Sequence, residues 1–116
     1  MASLDLLDDC IVLRLSPWER FMTLHGDLVV PNAALRGVEV LDEPMRKLPR
    51  WRSLGTAVPG VLAYGTFRQR GRKEFVAVRG RRRAVRLHLA EHPFTAVVVS
   101  VEDPDGLAAR MSAVVP

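Results

Sequence analysis

His88 and His92, four positions apart, are the residues of this chain whose type and spacing first suggest chemistry. On one face of a helix, two histidines with this spacing can bind a metal ion such as zinc. Here His88 belongs to a run of alternating apolar and polar residues, and His92 stands beside Pro93, so the helical geometry is not expected. The sequence therefore predicts no metal site, and we expect no cofactor.

Nucleophilic catalysis would need a serine or cysteine beside a histidine and a carboxylate, and no local sequence context suggests that arrangement. Cys10 is the single cysteine, so the chain cannot form an internal disulfide, which is typical of a reducing compartment. Gly55, Gly60 and Gly65 precede no helix and do not indicate a phosphate-binding loop. We expect a protein that is not an enzyme.

Basic residues are concentrated in one part of the chain. The whole sequence has 17 Lys and Arg against 13 Asp and Glu, but residues 68–86 carry nine basic groups and one acidic group, Glu74. Such an asymmetry can steer an anionic partner toward the protein. Most of these basic groups fall in two predicted turns, 68–72 and 79–83.

A nucleic acid is nevertheless not the partner that this arrangement favours. Successive turns of a meander lie at opposite ends of strands about 20 Å long, so the two arginine turns are not expected to form one phosphate-binding patch. Arg86 and His88, predicted on an outward face, could join the turns into a stripe. Binding of single strands also needs aromatic platforms on that face, whereas Tyr64, Phe67 and Phe75 are expected to face the core.

Short apolar runs separated by turn signals predict a mainly β protein of one domain, a small barrel or sandwich. The cleanest alternation lies in 84–90, where Val85, Leu87 and Leu89 face one way. The run 94–101 is rich in valine on both faces, so we place that strand centrally or under a helix. A hairpin is predicted at Gly26-Asp27, and its first strand lies in 18–25. The remaining predicted strands are 10–15, 28–30, 36–41, 61–67 and 73–78.

The C-terminal residues change from the period of a strand to that of a helix. Asp103 is a good N-cap, Pro104 suits the first helical position and Asp105 complements the helix dipole. The apolar residues that follow recur on one helical face, and they are Leu107, Met111, Val114 and Val115. A helix of about 12 residues is marginal alone in water, so we expect it to pack on the sheet.

The segment 42–60 is rich in proline and glycine, and it carries Trp51 among basic residues. Unstructured loops of this length are uncommon in compact domains and are often functional. One interpretation is a crossover that packs Trp51 and Leu54 over one end of the barrel. The other is a binding loop, and the sequence leaves both open.

Three stretches of the chain look familiar, namely 24–31 (LHGDLVVP), 59–67 (PGVLAYGTF) and 99–104 (VSVEDP). Together they resemble small, uncharacterised actinobacterial proteins with a pleckstrin-homology-like (PH-like) domain. The resemblance implies a PH-like barrel of about seven antiparallel strands in two orthogonal sheets, capped by one C-terminal helix. Lipid-binding members hold phosphoinositide with basic residues around the first hairpin loop. The corresponding connection here, 15–20 (LSPWER), is short and mixed in charge, so no lipid site is carried over to this chain.

We expect a single domain over 1–116, with 1–9 as a loose N-terminal segment, in the bacterial cytoplasm. No apolar run approaches the roughly 20 residues that span a bilayer, while peripheral membrane contact stays open. The expected function is that of a non-catalytic binding or protein-interaction scaffold with a protein or small-molecule partner. The candidate binding surface consists of Arg50, Trp51, Arg52, Arg68, Arg70 and Arg72.

The alternative function is binding of anionic partners, either an acidic membrane surface or a nucleic acid, through the arginine-rich hairpins. An exposed edge strand could also pair with a second copy of the chain, which would give a homo-oligomer. Of the two functions, the sequence favours the scaffold.

Overall fold

The computed structural model describes residues 3–23, 26–44, 51–58, 62–69, 71–80 and 82–113. These residues form nine β-strands and two α-helices, so the predicted mainly β fold class is confirmed. In chain order the strands and helices are β1 (Ser3–Leu6), β2 (Cys10–Arg14), α1 (Pro17–Thr23), β3 (Leu28–Pro31), β4 (Leu35–Leu41), β5 (Trp51–Val58), β6 (Leu62–Gln69), β7 (Arg72–Arg79), β8 (Ala84–Leu89), β9 (Ala96–Ser100) and α2 (Pro104–Ser112). A short 3-10 helix, Asn32–Ala34, joins β3 to β4.

The described strands form two sheets, one of three strands and one of six. The small sheet has the order β1-β2-β3, and both of its pairs are antiparallel. The large sheet has the order β4-β8-β9-β7-β6-β5, in which β7 and β9 run parallel and every other pair is antiparallel. These strands do not close into a barrel. They differ from the implied seven-stranded, wholly antiparallel barrel in strand number, in the direction of one pair and in closure.

Both faces of the large sheet are buried around its centre. Along β7, Phe75 and Ala77 face one way and Val76 and Val78 face the other, and all four are almost completely buried. The apolar side chains on the Phe75 face form one cluster with those of the small sheet. Strand β9 is buried along its whole length, which confirms the central position that its valine-rich sequence predicts.

Helix α2 begins where the sequence predicts it. The side chain of Asp103 accepts a hydrogen bond from the backbone N–H of Gly106, with 3.1 Å between Oδ1 and N. Leu107 and Met111 are buried in the main core cluster, and the helix lies against β4 and β8. Two further residues expected on that face lie outside the described residues, and they are Val114 and Val115. Neither α2 nor any other helix in the described chain is long and apolar enough to cross a membrane.

The prediction of a hairpin strand within 18–25 is wrong, because Pro17–Thr23 forms helix α1. Two reciprocal hydrogen bonds fix the start of this helix. The Ser16 backbone N–H donates to Glu19 Oε1 at 3.0 Å, and the Glu19 N–H donates to Ser16 Oγ at 3.3 Å. This arrangement is a capping box followed by proline at the first helical position. The capping box in Ser-Pro-Trp-Glu therefore stabilises a helix in residues whose composition suggested a strand.

The segment 42–60 is not a structureless crossover, because Trp51–Val58 forms β5 at the edge of the large sheet. Its register with β6 begins at Trp51 opposite Arg68. Backbone pairing with β6 overrides the local turn signals of this segment, since strand formation depends on context more than on propensity. Other parts of the segment lie outside the described residues, and they are 45–50, 59 and 60.

The N-terminal segment 1–9, expected to be loose, also contains regular structure. Ser3–Leu6 forms β1, which pairs with β2 so that Leu4 stands opposite Leu13. Leu4 is buried in the core cluster, so its burial stabilises the segment on the small sheet.

Candidate functional site

The structure brings part of the predicted binding surface together. Trp51 and Arg52 open β5, where the structure describes the backbone, and Arg68 stands opposite Trp51 near the end of β6. Arg72 begins β7 beside the end of β6. Residues from the segment 42–60 and from the β6–β7 hairpin therefore meet at one end of the large sheet. Two members of the surface lie outside the described residues, and they are Arg50 and Arg70.

Arg72 already has a partner within the fold. Its guanidinium contacts the carboxylate of Glu74, whose side chain is 0% exposed, and the other oxygen of that carboxylate lies 3.4 Å from Arg86 Nη2. Arg86 Nη1 lies 3.9 Å from Glu39 Oε1, and the same oxygen lies 3.1 Å from His88 Nε2. A line of alternating charges thus crosses from β7 to β8 and β4. Arg72 is engaged in this structural network.

The predicted outward position of Arg86 is wrong, whereas His88 is exposed as predicted. Arg86, expected on an outward face, is 6% exposed and belongs to the charge network. A buried charge is costly unless it is paired, and Glu74 provides the compensating charge. The three aromatic residues expected to face the core are buried, and they are Tyr64, Phe67 and Phe75. The two arginine turns are therefore not joined across the sheet.

In the second arginine turn, which follows β7, Arg83 forms ion pairs within the fold, whereas Arg79 and Arg82 are exposed. Gly80 has a φ of 60°, a conformation that glycine adopts at little cost and that lets the chain reverse. Arg83 donates to both carboxylate oxygens of Asp105, at 2.7 and 3.0 Å, and to Asp42 at 2.7 Å. These contacts tie the start of β8 to α2 and to the end of β4. Within the described chain, the other two arginines placed by this turn form no ion pair, and they are Arg79 and Arg82.

A cleft of about 290 Å³ lies between α1 and one end of the large sheet. One side comes from the first turn of α1, and the other comes from β6, β7 and the end of β9. The lining residues are Ser16, Trp18, Glu19, Tyr64, Ala77, Arg79, Arg82, Ser100 and Glu102. Strand β7 separates the cleft from the predicted surface by roughly 23 Å, because Arg72 and Arg79 stand at opposite ends of that strand.

Tyr64 brings a buried phenol to this cleft. The residue is 2% exposed, and its phenol lies beside the Trp18 side chain in the lining of the cleft. Burial raises the pKa of Tyr64, and the negative charge of Glu19 raises that pKa further. The nearby arginines and Trp18 lower it without cancelling these effects. The phenol is therefore protonated at neutral pH, and its proton is available for donation.

Two serines line the same cleft, and the oxygen of each accepts a hydrogen bond from a backbone N–H. Ser16 Oγ accepts from Glu19 at 3.3 Å as part of the capping box. Ser100 Oγ accepts from Arg79 at 3.3 Å, and Ser100 is 2% exposed. Serine hydroxyls that accept in this way still carry a proton that they can donate.

Among the described residues of the lining, positive and negative side chains are equal in number. Arg79 and Arg82 contribute two positive charges, and Glu19 and Glu102 contribute two negative charges. Glu19 is buried and its Oε1 is held by the backbone of Ser16, whereas Glu102 is exposed. The cleft therefore offers separate positive and negative points rather than a uniformly charged surface.

Helix α1 adds aromatic surface at the cleft. Trp18 is 52% exposed and Phe21 is 72% exposed. Residues three positions apart are neighbours on a helix surface, so the two rings belong to one exposed area. An indole ring that is half open to solvent can stack on a planar ligand.

The cleft could not be predicted from local signals alone. The capping-box sequence at 16–19 contained the signal for α1, and it would have placed Trp18 on a helix. The meeting of Tyr64 with Ser100 depends on strands that are distant in sequence. Tyr64 stands opposite Ala77 in the β6–β7 pair, and Ala77 stands opposite Val99 in the parallel β7–β9 pair. No local pattern predicts that parallel pair.

The chain matches no protein-family model, no curated protein and no solved structure. Among the residues that the structure describes, no three or more His, Cys, Asp or Glu side chains are grouped so as to hold a metal ion. We therefore base the functional proposal on the geometry of the cleft.

Proposed function

We propose that this protein is a non-catalytic binding module, and that a small molecule binds in the cleft between α1 and the large sheet. One observation carries the proposal. The half-exposed ring of Trp18 and the buried, protonated hydroxyl of Tyr64 line one cavity, together with two arginines that lack an ion pair to any described residue. Ligand pockets combine aromatic surface with a few placed polar groups and have volumes from about 300 Å³ upward. The cleft, at about 290 Å³, is close to that lower bound.

We propose a non-catalytic role because the hydroxyl groups of the cleft are not arranged to act as a base or as a nucleophile. A raised pKa keeps Tyr64 neutral, so it acts as a hydrogen-bond donor rather than as a base. A serine nucleophile needs an adjacent base, and no described histidine lines the cleft. Ser16 and Ser100 instead accept hydrogen bonds from the backbone.

The same proposal includes a PH-like relationship and a cytoplasmic, actinobacterial setting. The mainly β body and the C-terminal helix α2 support the relationship. The open sheets and the parallel β7–β9 pair depart from it. In these two respects the chain would be a divergent member of that family.

A second candidate function is binding of an anionic partner at the predicted surface, at the other end of β6 and β7. The register favours it, because Trp51 stands beside Arg68 and Arg68 stands beside Lys73. Contacts between exposed arginines and a membrane or nucleic acid weaken as salt increases. Binding to anionic vesicles or to an oligonucleotide should therefore fall at high salt and in Arg68→Gln. Binding that is indifferent to both would contradict this candidate.

Ligand-detected NMR with small aromatic fragments of positive, neutral and negative charge tests the proposed cleft function. We expect some fragments to bind, and we expect Trp18→Ala to reduce their affinity by about tenfold, because it removes the stacking surface. Arg110→Gln is the matched control, since Arg110 is exposed on α2 and does not line the cleft. If no fragment binds, or if Trp18→Ala binds as well as the unaltered protein, the proposal is wrong.

A further inference from the structure

Three hydroxyl groups in the cleft have protons that no described residue accepts, and they define the chemistry of the ligand. The oxygens of Ser16 and Ser100 each already accept a hydrogen bond from a backbone N–H, and the Tyr64 phenol lines the same cleft. Each hydroxyl still has a proton to donate. Tyr64 and Ser100 are both 2% exposed and line the cleft, so a molecule in the cleft can accept from their hydroxyl groups. An acceptor on a bound molecule would therefore stabilise these groups.

Two guanidinium groups line the same cavity. Neither Arg79 nor Arg82 forms an ion pair within the described chain, in contrast to Arg83, which is held by Asp42 and Asp105. Arginine binds carboxylates and phosphates through paired N–H donors, and such charge-assisted hydrogen bonds are stronger than neutral ones. Guanidinium and hydroxyl donors in one cavity favour an oxyanion.

The two carboxylates of the lining limit the size of that anion. Glu19 is buried with Oε1 held by Ser16, and Glu102 is exposed. The lining residues that the structure describes therefore carry no net charge, so they do not attract a polyanion over a distance. A single oxyanion can gain local hydrogen bonds, whereas the extended backbone of a nucleic acid would also meet Glu102.

We infer that the cleft binds a small planar molecule that carries one oxyanion, either a carboxylate or a phosphate monoester. This inference rests on the proposed binding function of the cleft. The oxyanion accepts hydrogen bonds from Arg79 or Arg82 and from the Tyr64 hydroxyl. The planar part of the molecule stacks on the half-exposed ring of Trp18.

The test compares probes that share a ring and differ in charge. The chain has two tryptophans, so Trp51→Phe leaves Trp18 as the single fluorescent reporter. Benzoate, phenyl phosphate, benzyl alcohol and benzylamine are titrated into this variant, with inorganic phosphate as the probe without a ring. We expect benzoate or phenyl phosphate to bind about tenfold more tightly than benzyl alcohol and benzylamine, because charge-assisted hydrogen bonds are lost in the latter two. The tighter of the two anions identifies the preferred oxyanion.

Two substitutions assign the effect to the cleft. Tyr64→Phe removes one hydroxyl, and Arg82→Gln removes one positive charge at an exposed position. Each should weaken binding of the preferred anion by about tenfold and leave benzyl alcohol unchanged. Arg110→Gln should change neither. If circular dichroism shows that Tyr64→Phe does not fold, Ser100→Ala together with Arg82→Gln gives the same comparison.

The outcomes separate this inference from the proposed function. If benzyl alcohol or benzylamine binds as tightly as both anions, and Trp18→Ala weakens that binding by about tenfold, the cleft is a binding site but the oxyanion inference is wrong. Anion binding that survives both Tyr64→Phe and Arg82→Gln would also overturn it. If no probe binds, both the inference and the proposed function fail.

Discussion

Tyr64 is the single tyrosine of the chain, so the protonation of the cleft can be measured at one residue. Burial raises its pKa above the ordinary value of 10.0, and the folded protein therefore holds the phenol proton more tightly than the unfolded chain does. The stability that this group contributes is complete below about pH 10 and is lost as the pH rises through the folded pKa.

We predict that the phenolate absorbance of the folded protein rises with a midpoint above the ordinary pKa of tyrosine. In urea this midpoint should return to the ordinary value. Circular dichroism at the same pH values serves as the control for folding. A midpoint at or below the ordinary value in folded protein would show that Tyr64 is not buried in this way.

Glu74 offers a second test on one side chain, because it is fully buried between Arg72 and Arg86. Removing one partner of a buried ion pair leaves an uncompensated charge, and Glu74→Ala should lower the free energy of unfolding by about 3–5 kcal/mol. Glu102→Ala, at an exposed glutamate, should change it by less than about 0.5 kcal/mol. Urea denaturation gives both values.

Adding Arg86→Met to Glu74→Ala should recover part of the loss, since it removes the uncompensated charge. A single Glu74→Ala variant as stable as the Glu102→Ala control would mean that this network does not stabilise the fold.

At the scale of the elements, Gly106 shows how the cap of α2 restricts a helical position. Alanine usually stabilises a helix by about 1 kcal/mol relative to glycine. Here a Cβ at position 106 would lie 2.8 Å from Asp103 Cγ, and the Asp103 side chain accepts from the Gly106 N–H. Gly106→Ala must therefore displace an N-cap that contributes about 1 kcal/mol.

We predict that Gly106→Ala gives no gain in thermal stability and lowers it slightly. Ala109→Gly, at an exposed position in the same helix, should lose about 1 kcal/mol, as ordinary propensity requires. A gain of about 1 kcal/mol in Gly106→Ala, obtained from the same denaturation curves, would show that Asp103 does not form the cap.

The contact of α2 with β8 and β4 depends on pH through Asp105. Hydrogen bonds from Arg83 lower the pKa of this carboxyl below its ordinary value of 3.8. A lowered folded pKa means that the stabilisation is present above the unfolded pKa and is lost as the pH falls through the folded value. Arg83→Gln should therefore lower the melting temperature at pH 7 and have less effect near about pH 2. An equal effect at both pH values would contradict this role.

The elements also show what local sequence determines. Helix α2 was predicted because its cap and its apolar period lie within about a dozen residues. Helix α1 carried an equally local signal in Ser16-Pro17-Trp18-Glu19, which outweighs the β-type composition after it. Strand β5 could not be predicted, because its proline- and glycine-rich surroundings indicate a loop and only pairing with β6 makes it a strand.

At the scale of the whole molecule, the two ends of the large sheet differ in what occupies them. One end carries the predicted surface, where Arg72 is already bound to Glu74. The other end carries the cleft, where α1 covers the sheet and two arginines form no ion pair with described residues. The cleft depends on the parallel pairing of β7 with β9 and on the placement of α1, which join distant parts of the sequence. For this reason the sequence predicted the fold class and α2 but not the cleft.

The most direct test of the binding function is a chemical-shift map of the isotope-labelled protein titrated with benzoate and with phenyl phosphate. The cleft predicts that the largest changes fall on the backbone amides of Trp18, Tyr64 and Ser100, and that they saturate together. Changes that are absent from these residues, or that concentrate instead around Trp51 and Arg68, would contradict the assignment of the binding site to the cleft.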